Sequence, residues 1–318
     1  MMSDATIAVY NSALNALARD LGYEIVLLYP EGYHWLADSE KVINVIKTMP
    51  YNTQNNKLFA IKYALNLADA PNEIYEPYLE YTGVVKDEIA KSKADRAKSD
   101  KEEANWMEKE DLEIVLEDLK KNLPLKINRM EQYRAVMKYL VLKIHIETPL
   151  RNDLADAKIY LDPNNDELYE IANNDNYNYI LAISPTSAKY VSNKYKTSKV
   201  YKQINIDFSP RLSFDLFHYA KDIIEYTTEA LIDPKGSEMT NNLFLVNNER
   251  DKMNRNSYTK FMKSIFAPYE KKISSTMIRK IIVSDVHDLD KEKEAEKKEL
   301  ARKMAHSLNT ASTYYAKV

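Results

Sequence analysis

Four glycines in 318 residues constrain this chain more than any other feature of its sequence. Glycine supplies the positive-φ conformations that tight turns and hairpins use, so such turns are expected to be rare. Long helices should dominate. The apolar spacing agrees in the first third of the chain: Ile7, Tyr10, Leu14, Leu17 and Leu21 share one helical face between Thr6 and Leu21. A second helix is expected after Asp38 or Ser39, with Val42, Ile43 and Ile46 inward and Pro50 past its end. Thr53 reads as the N-cap of a third helix carrying Leu58, Ile61, Leu65 and Leu67, and a fourth runs from about Pro71 to Val85. Residues 85–105 hold almost no large apolar side chains and are dense in Lys, Glu, Asp and Ala. That run is a solvated helix or a linker, and its end marks the expected domain boundary.

After Trp106 the pattern changes. Helices are expected over Glu110–Asn122 and Arg129–Glu147, followed by strands at Ala157–Leu161, Tyr179–Ile183, Tyr190–Tyr195 and Val200–Ile206. Lys196-Thr197-Ser198-Lys199 reads as the turn of a hairpin between the last two. Helices return from Phe214, with a highly charged one from about Asp290 to His306. The expected fold class is mainly α with a small antiparallel β-sheet, as a helical domain over 1–105 and an α+β domain over 106–318.

Composition narrows the chemistry. Cysteine is absent, which excludes disulfides, thiolate zinc sites and a cysteine nucleophile, and fits a reducing intracellular compartment. No apolar run approaches the roughly 20 residues of a membrane helix, and the first twenty residues lack the features of a signal peptide. A soluble intracellular protein with no membrane partner is expected. With 45 basic and 48 acidic residues the net charge is −3, which weighs mildly against a nucleic-acid partner. Net charge averages over faces, however, and clustered lysines can still make a groove for a polyanion.

Four segments carry candidate chemistry. Thr148-Pro149-Leu150-Arg151-Asn152-Asp153 follows a long apolar helix, and an arginine at such a turn can aim its planar fork at two phosphate oxygens. The ordinary fate of that arginine is a pair with Asp153 or Asp156. Lys196 stands in the expected hairpin turn, with Lys194 and Lys199 as alternatives for its role. Thr276-Met277-Ile278-Arg279 opens an apolar helix in which a buried arginine needs an anionic partner. At the end of the chain, His306 and Tyr315 are nine residues apart across a Ser/Asn/Thr turn, among 24 tyrosines in all. Arg, Lys, Arg, His and Tyr in that order is what phosphoryl transfer through a tyrosine requires. Two arginines offset charge on the non-bridging oxygens, a lysine or histidine protonates the leaving oxygen, and the tyrosine attacks in line. No metal or other cofactor is expected, because the cations supply the stabilisation. His34, His145, His218 and His287 lack ligand-like spacing and read as structural or surface residues.

These segments resemble those of the tyrosine recombinases, or phage-type integrases. Thr-Pro-Leu-Arg151-Asn-Asp looks like the family's Thr-Gly-Leu-Arg box, and Lys-Thr-Ser-Lys at 196–199 is similar to its hairpin lysine. Thr276-Met-Ile-Arg279 stands in place of His-x-x-Arg. Met-Ala-His306-Ser-Leu-Asn-Thr, followed by Tyr-Tyr315, is close to Gly-His-Ser plus tyrosine. The resemblance implies catalytic roles for Arg151, Lys196, Thr276, Arg279, His306 and Tyr315. It implies a core-binding, DNA-clamping domain over 1–105 and a catalytic domain over 106–318. It also implies double-stranded DNA as partner, a homo-tetramer in the synaptic complex and a monomer when free, and action at DNA in a prokaryotic or virus-infected cytoplasm or a nucleus. The function implied is site-specific recombination or integration through a 3′-phosphotyrosyl intermediate. The alternatives are a type IB topoisomerase-like enzyme and a DNA-binding accessory protein with a degenerate site. Two departures stand out. Thr276 cannot exchange protons near neutral pH, which shifts proton work to Lys196 and His306, and Leu154 replaces a frequent acid, a place Asp153 could fill by orienting Arg151 or His306. Only Ala316, Lys317 and Val318 follow Tyr315, so control by exchange of a C-terminal segment is expected to lie elsewhere.

Overall fold

The computed structural model describes residues 4–23, 30–95, 97–174, 176–196, 198–229, 242–288 and 294–317. The chain divides into two compact units, Met1–Asp95 and Arg96–Val318. The first is helical: α1 (Asp4–Asp20), α2 (Ser39–Lys47), α3 (Tyr51–Leu67) and α4 (Asn72–Ala94). Asp38 starts α2 by accepting the backbone N–H of Lys41 at 3.2 Å. The start of α3 differs from expectation. Pro50 occupies the cap position with φ −58°, so the helix begins at Tyr51 and Thr53 lies inside its first turn. Helix α4 does not stop at Val85 but continues through the charged run to Ala94, since Ala, Lys and Glu propagate a helix well in water. The core of this unit collects Leu14, Leu17, Leu36, Val42, Ile46, Leu58 and Ile61 around Tyr78, whose hydroxyl donates to the Leu36 carbonyl at 2.8 Å.

The second unit opens with α5 (Asp100–Asn105), α6 (Lys109–Lys121) and α7 (Met130–Glu147). Residues before 106 already belong to it. Glu102 on α5 forms an ion pair with Lys280, and the Asn105 side chain accepts the backbone N–H of Lys272 at 2.7 Å. The division therefore falls N-terminal to the residue-105 boundary read from composition. Helix α7 is the centre of the core, with every residue from Tyr139 to His145 buried. Full burial of a large apolar side chain contributes roughly 1.5–3 kcal/mol, so α7 fixes the unit. Its one buried lysine, Lys143, is ion-paired to Asp215, which also accepts the Tyr139 hydroxyl at 2.6 Å.

After α7 come β1 (Lys158–Leu161), α8 (Asn165–Asn173), β2 (Tyr179–Ser184), β3 (Ser187–Ser192), α9 (Ser198–Tyr201), β4 (Ile204–Asp207) and α10 (Pro210–Glu229). The strands form one sheet in the order β1-β2-β3-β4. The fold class stands as mainly helical with a small sheet, but that sheet is mixed rather than antiparallel. β1 and β2 run parallel, because α8 carries the chain back across the sheet between them. The tight hairpin joins β2 to β3, while β3 and β4 pair across a longer excursion, residues 193–203, which includes α9. Thr197 of the expected turn lies outside the described residues. Helix α10 packs on the sheet, and α11 (Arg255–Phe266), α12 (Ser275–Asp288), α13 (Glu294–Lys303) and α14 (Leu308–Tyr314) complete the unit. Residues 290–293 of the charged helix lie outside the described residues. Among those described, no helix is long and apolar enough to cross a membrane.

Candidate active site

Pro149 sets the first element of the site. A residue before proline is pushed out of the helical region, so α7 ends at Glu147 and Thr148 is extended (φ −142°, ψ 98°). Buried Leu150 and Leu154 pin the following turn, and Arg151 leaves it between them. Arg151 pairs with neither Asp153 nor Asp156: its Nη2 donates to His306 Nε2 at 2.7 Å. Asp156 instead holds Lys194 and Lys252, each at 3.3 Å.

The second arginine rises from the first turns of α12. Arg279 is 3% exposed among Ile278, Ile281 and Ile282. Its Nε donates to the Pro149 carbonyl at 3.0 Å and its Nη1 to the Tyr315 hydroxyl at 3.1 Å. The guanidinium also lies 5.1 Å from the centre of the Tyr315 ring. Tyr315 ends α14 and is 8% exposed against Val283, Met304 and Ala311, whereas Tyr314 is 52% exposed. Burial thus separates the two adjacent tyrosines. Between α13 and α14 the chain turns through Ala305 at φ +53°, a left-handed residue that costs an alanine roughly 1–2 kcal/mol. That turn aims His306 inward, where its Nε2 lies 3.4 Å from the Tyr315 hydroxyl.

Four side chains therefore meet: Arg151, Arg279, His306 and Tyr315. Each guanidinium keeps one nitrogen, Arg151 Nη1 and Arg279 Nη2, that is buried without a protein acceptor. Burial, and then the charge of Arg151, lower the proton affinity of Arg279. Two guanidinium groups that each keep a buried unpaired donor can receive an oxyanion. Because arginine only donates, His306 accepts at Nε2 and is neutral. Burial, then the charges of Arg151, Arg279 and Lys196, bring its pKa down to about 4. A neutral imidazole beside a phenol can take up the phenolic proton; an arginine beside the phenol oxygen stabilises the resulting anion.

The pKa of His306 fixes the sign of one pH effect. An unfolded imidazole takes a proton near 6.5, the folded one only near 4, so acid favours the unfolded chain between those values. His145 acts in the same sense: fully buried against Tyr258 (2.6 Å), it is lowered to about 3 by burial and then by Arg279. Stability present above pH 6.5 should be lost as pH falls towards 4. Urea midpoints measured from pH 7 to 4.5 should decline, and His306→Gln should flatten the decline; an unchanged slope would contradict the buried neutral imidazole.

Lys196 is exposed beside a cavity of about 560 Å³ lined by Asn152, Asp153, Asp156, Lys194, Lys252 and Arg255 among others. It is the lysine whose charge reaches His306. Thr276, one turn before Arg279, is exposed and makes no hydrogen bond to the other four among the described residues. Asp153 does not orient Arg151 or His306 through its carboxylate. It is largely buried, which raises its pKa against the opposing pull of Arg151, Arg255 and Arg279. Its backbone carbonyl is the group in use, accepting from Asn178 and Tyr190. Asn178 and the Ser275–Asn152 hydrogen bond that ties α12 to the Arg151 turn were not read from sequence. Both join segments far apart in the chain.

No protein-family model and no curated protein matches the sequence. Solved structures similar to it include two recombinases. One is a XerA recombinase, with a TM-score of 0.40 and 12% identity, covering 100% of this chain and 88% of that one. The other is the XerH site-specific recombinase bound to its difH substrate in a pre-cleavage complex, with a TM-score of 0.43 and 15% identity over 99% of this chain and 94% of that one.

Proposed function

We propose that this chain is a DNA strand transferase of the tyrosine recombinase kind, with Tyr315 as nucleophile. The observation that carries the reading is the pair of buried, acceptor-less guanidinium nitrogens, one on Arg279, which donates to the Tyr315 hydroxyl, and one on Arg151, which donates to His306. They suit the non-bridging oxygens of a phosphodiester. Tyr315 Oη attacks phosphorus in line and gives its proton to His306, forming a 3′-phosphotyrosyl ester as the bond to the 5′ oxygen breaks. Lys196 protonates that oxygen, and the Thr276 hydroxyl donates to a phosphate oxygen. A 5′-hydroxyl from a partner strand then reverses the step. The ester conserves the bond energy, so the scheme balances without ATP.

The polyanionic substrate also has support away from the site. In the first unit Lys62 and Lys86 both sit over the Phe59 ring, at 4.4 and 5.6 Å, a cation–aromatic patch suited to a nucleic-acid backbone. The test is a nicked duplex that loses its 5′-terminal fragment after cleavage and so traps the covalent adduct. Wild type should accumulate adduct while Tyr315→Phe, which lacks a nucleophile but keeps the packing, falls by at least roughly 10⁴-fold. Equal trapping by both would sink the enzyme reading and leave a DNA-binding protein. Rejoining between two duplexes, rather than relaxation of one supercoiled circle, is the expected outcome in a paired assay.

A further inference from the structure

Asn178 is fully buried between α8 and β2, and all of its side-chain hydrogen-bonding capacity is used. Its Nδ2 donates to the carbonyls of Asp153 and Lys194, each at 2.9 Å. Its Oδ1 accepts the backbone N–H groups of Asn193 and Lys194 at 2.9 and 2.8 Å. One side chain thus bolts the turn that carries Arg151 to the segment that leaves β3 for Lys196. The two feet of that segment are tied to each other as well: Asn193, which donates to the carbonyls of Ile171 and Asn174, accepts from Gln203 at 2.8 Å. Asp156 holds Lys194 to one side, at 3.3 Å.

From these contacts we infer that Asn178 is a positioning residue that delivers Lys196 to the reacting phosphate. The inference rests on the function proposed above. A lysine on an exposed segment otherwise samples many placements, and a proton donor even about 1 Å out of place can cost roughly 10²-fold in rate. The lysine has the chemistry, and the asparagine supplies its address relative to Arg151. Lys194 is paired with Asp156 instead.

The test is single-turnover cleavage of duplex DNA by the full chain. Asn178→Ala should lower the saturated cleavage rate by roughly 10²-fold while the DNA dissociation constant changes less than about threefold. Lys196→Ala should lose at least as much, and the double variant should be no slower than Lys196→Ala alone. A substrate with sulfur replacing the leaving 5′ oxygen needs no proton donor, so it should relieve both single variants and leave Arg279→Ala slow. Because Asn178→Ala removes a buried group, Gln203→Ala serves as the milder variant on an exposed side chain; it should slow cleavage about threefold, with the same relief by sulfur. Multiplicative losses, or a defect that sulfur does not relieve, would overturn the inference. Failure of wild type to form any adduct would instead overturn the function itself.

Discussion

Replacing Arg279 with alanine is expected to slow DNA cleavage by at least roughly 10²–10³-fold, the loss typical of one preorganised donor to developing charge. Arg279→Lys should fare little better. The guanidinium is fixed at two of its nitrogens, Nε to the Pro149 carbonyl and Nη1 to the Tyr315 hydroxyl, which leaves Nη2 buried without a protein acceptor. A lysine ammonium is a point charge on a flexible stem and cannot hold that fork. Single-turnover rates at saturating duplex, set beside anisotropy binding curves, separate catalysis from affinity. Binding should change by less than about tenfold, since Arg279 is buried and the exposed lysines and arginines beside the site, Lys194, Lys196, Lys252 and Arg255, remain. Recovery of Arg279→Lys to within tenfold of wild type would mean that charge alone matters there and that the geometry described for Tyr315 is incidental.

The largest effect on stability is expected far from the site. Asp215→Ala should cost about 3 kcal/mol, because it strands the ammonium of Lys143 and the hydroxyl of Tyr139 in the core against α7. The lysine side chain is 9% exposed, so water cannot compensate it well. Adding Lys143→Met should recover much of the loss, since an apolar side chain of similar length removes the unpaired charge rather than hiding it. Urea unfolding followed by Trp106 fluorescence in a Trp35→Phe background reports on the second unit. Equal destabilisation of the single and double variants would show that the pair is not what holds α7 to α10.

Local chemistry explains which parts were legible in the sequence. Pro149 ends α7 by a rule that acts between neighbours, and Asp38 caps α2 within its own turn. His306 and Tyr315 meet because nine residues of turn and short helix close on themselves, again a local matter. Helix α8 had a signal that went unread: Asn164 and Glu167 form a capping box, and with it the parallel pairing of β1 and β2 could have been anticipated. The excursion after β3 had none. Tyr190–Tyr195 alternates like a strand, but pairing stops at Ser192 because Asn178, reached through the fold, captures the next two backbone N–H groups. The domain boundary slipped for a similar reason. The helical, charged composition of residues 96–105 matches α4, while their partners, Lys272 and Lys280, lie near the start of α12.

Everything proposed for the site depends on one oxygen. Adduct trapped on the nicked duplex can be digested with nuclease and protease and the nucleotide-bearing peptide sequenced by mass spectrometry. The mark should fall on Tyr315, held by Arg279 and His306, and Tyr314→Phe should leave its yield within about twofold of wild type. Modification of exposed Tyr314, or of a tyrosine outside α14 and its end, would contradict the account.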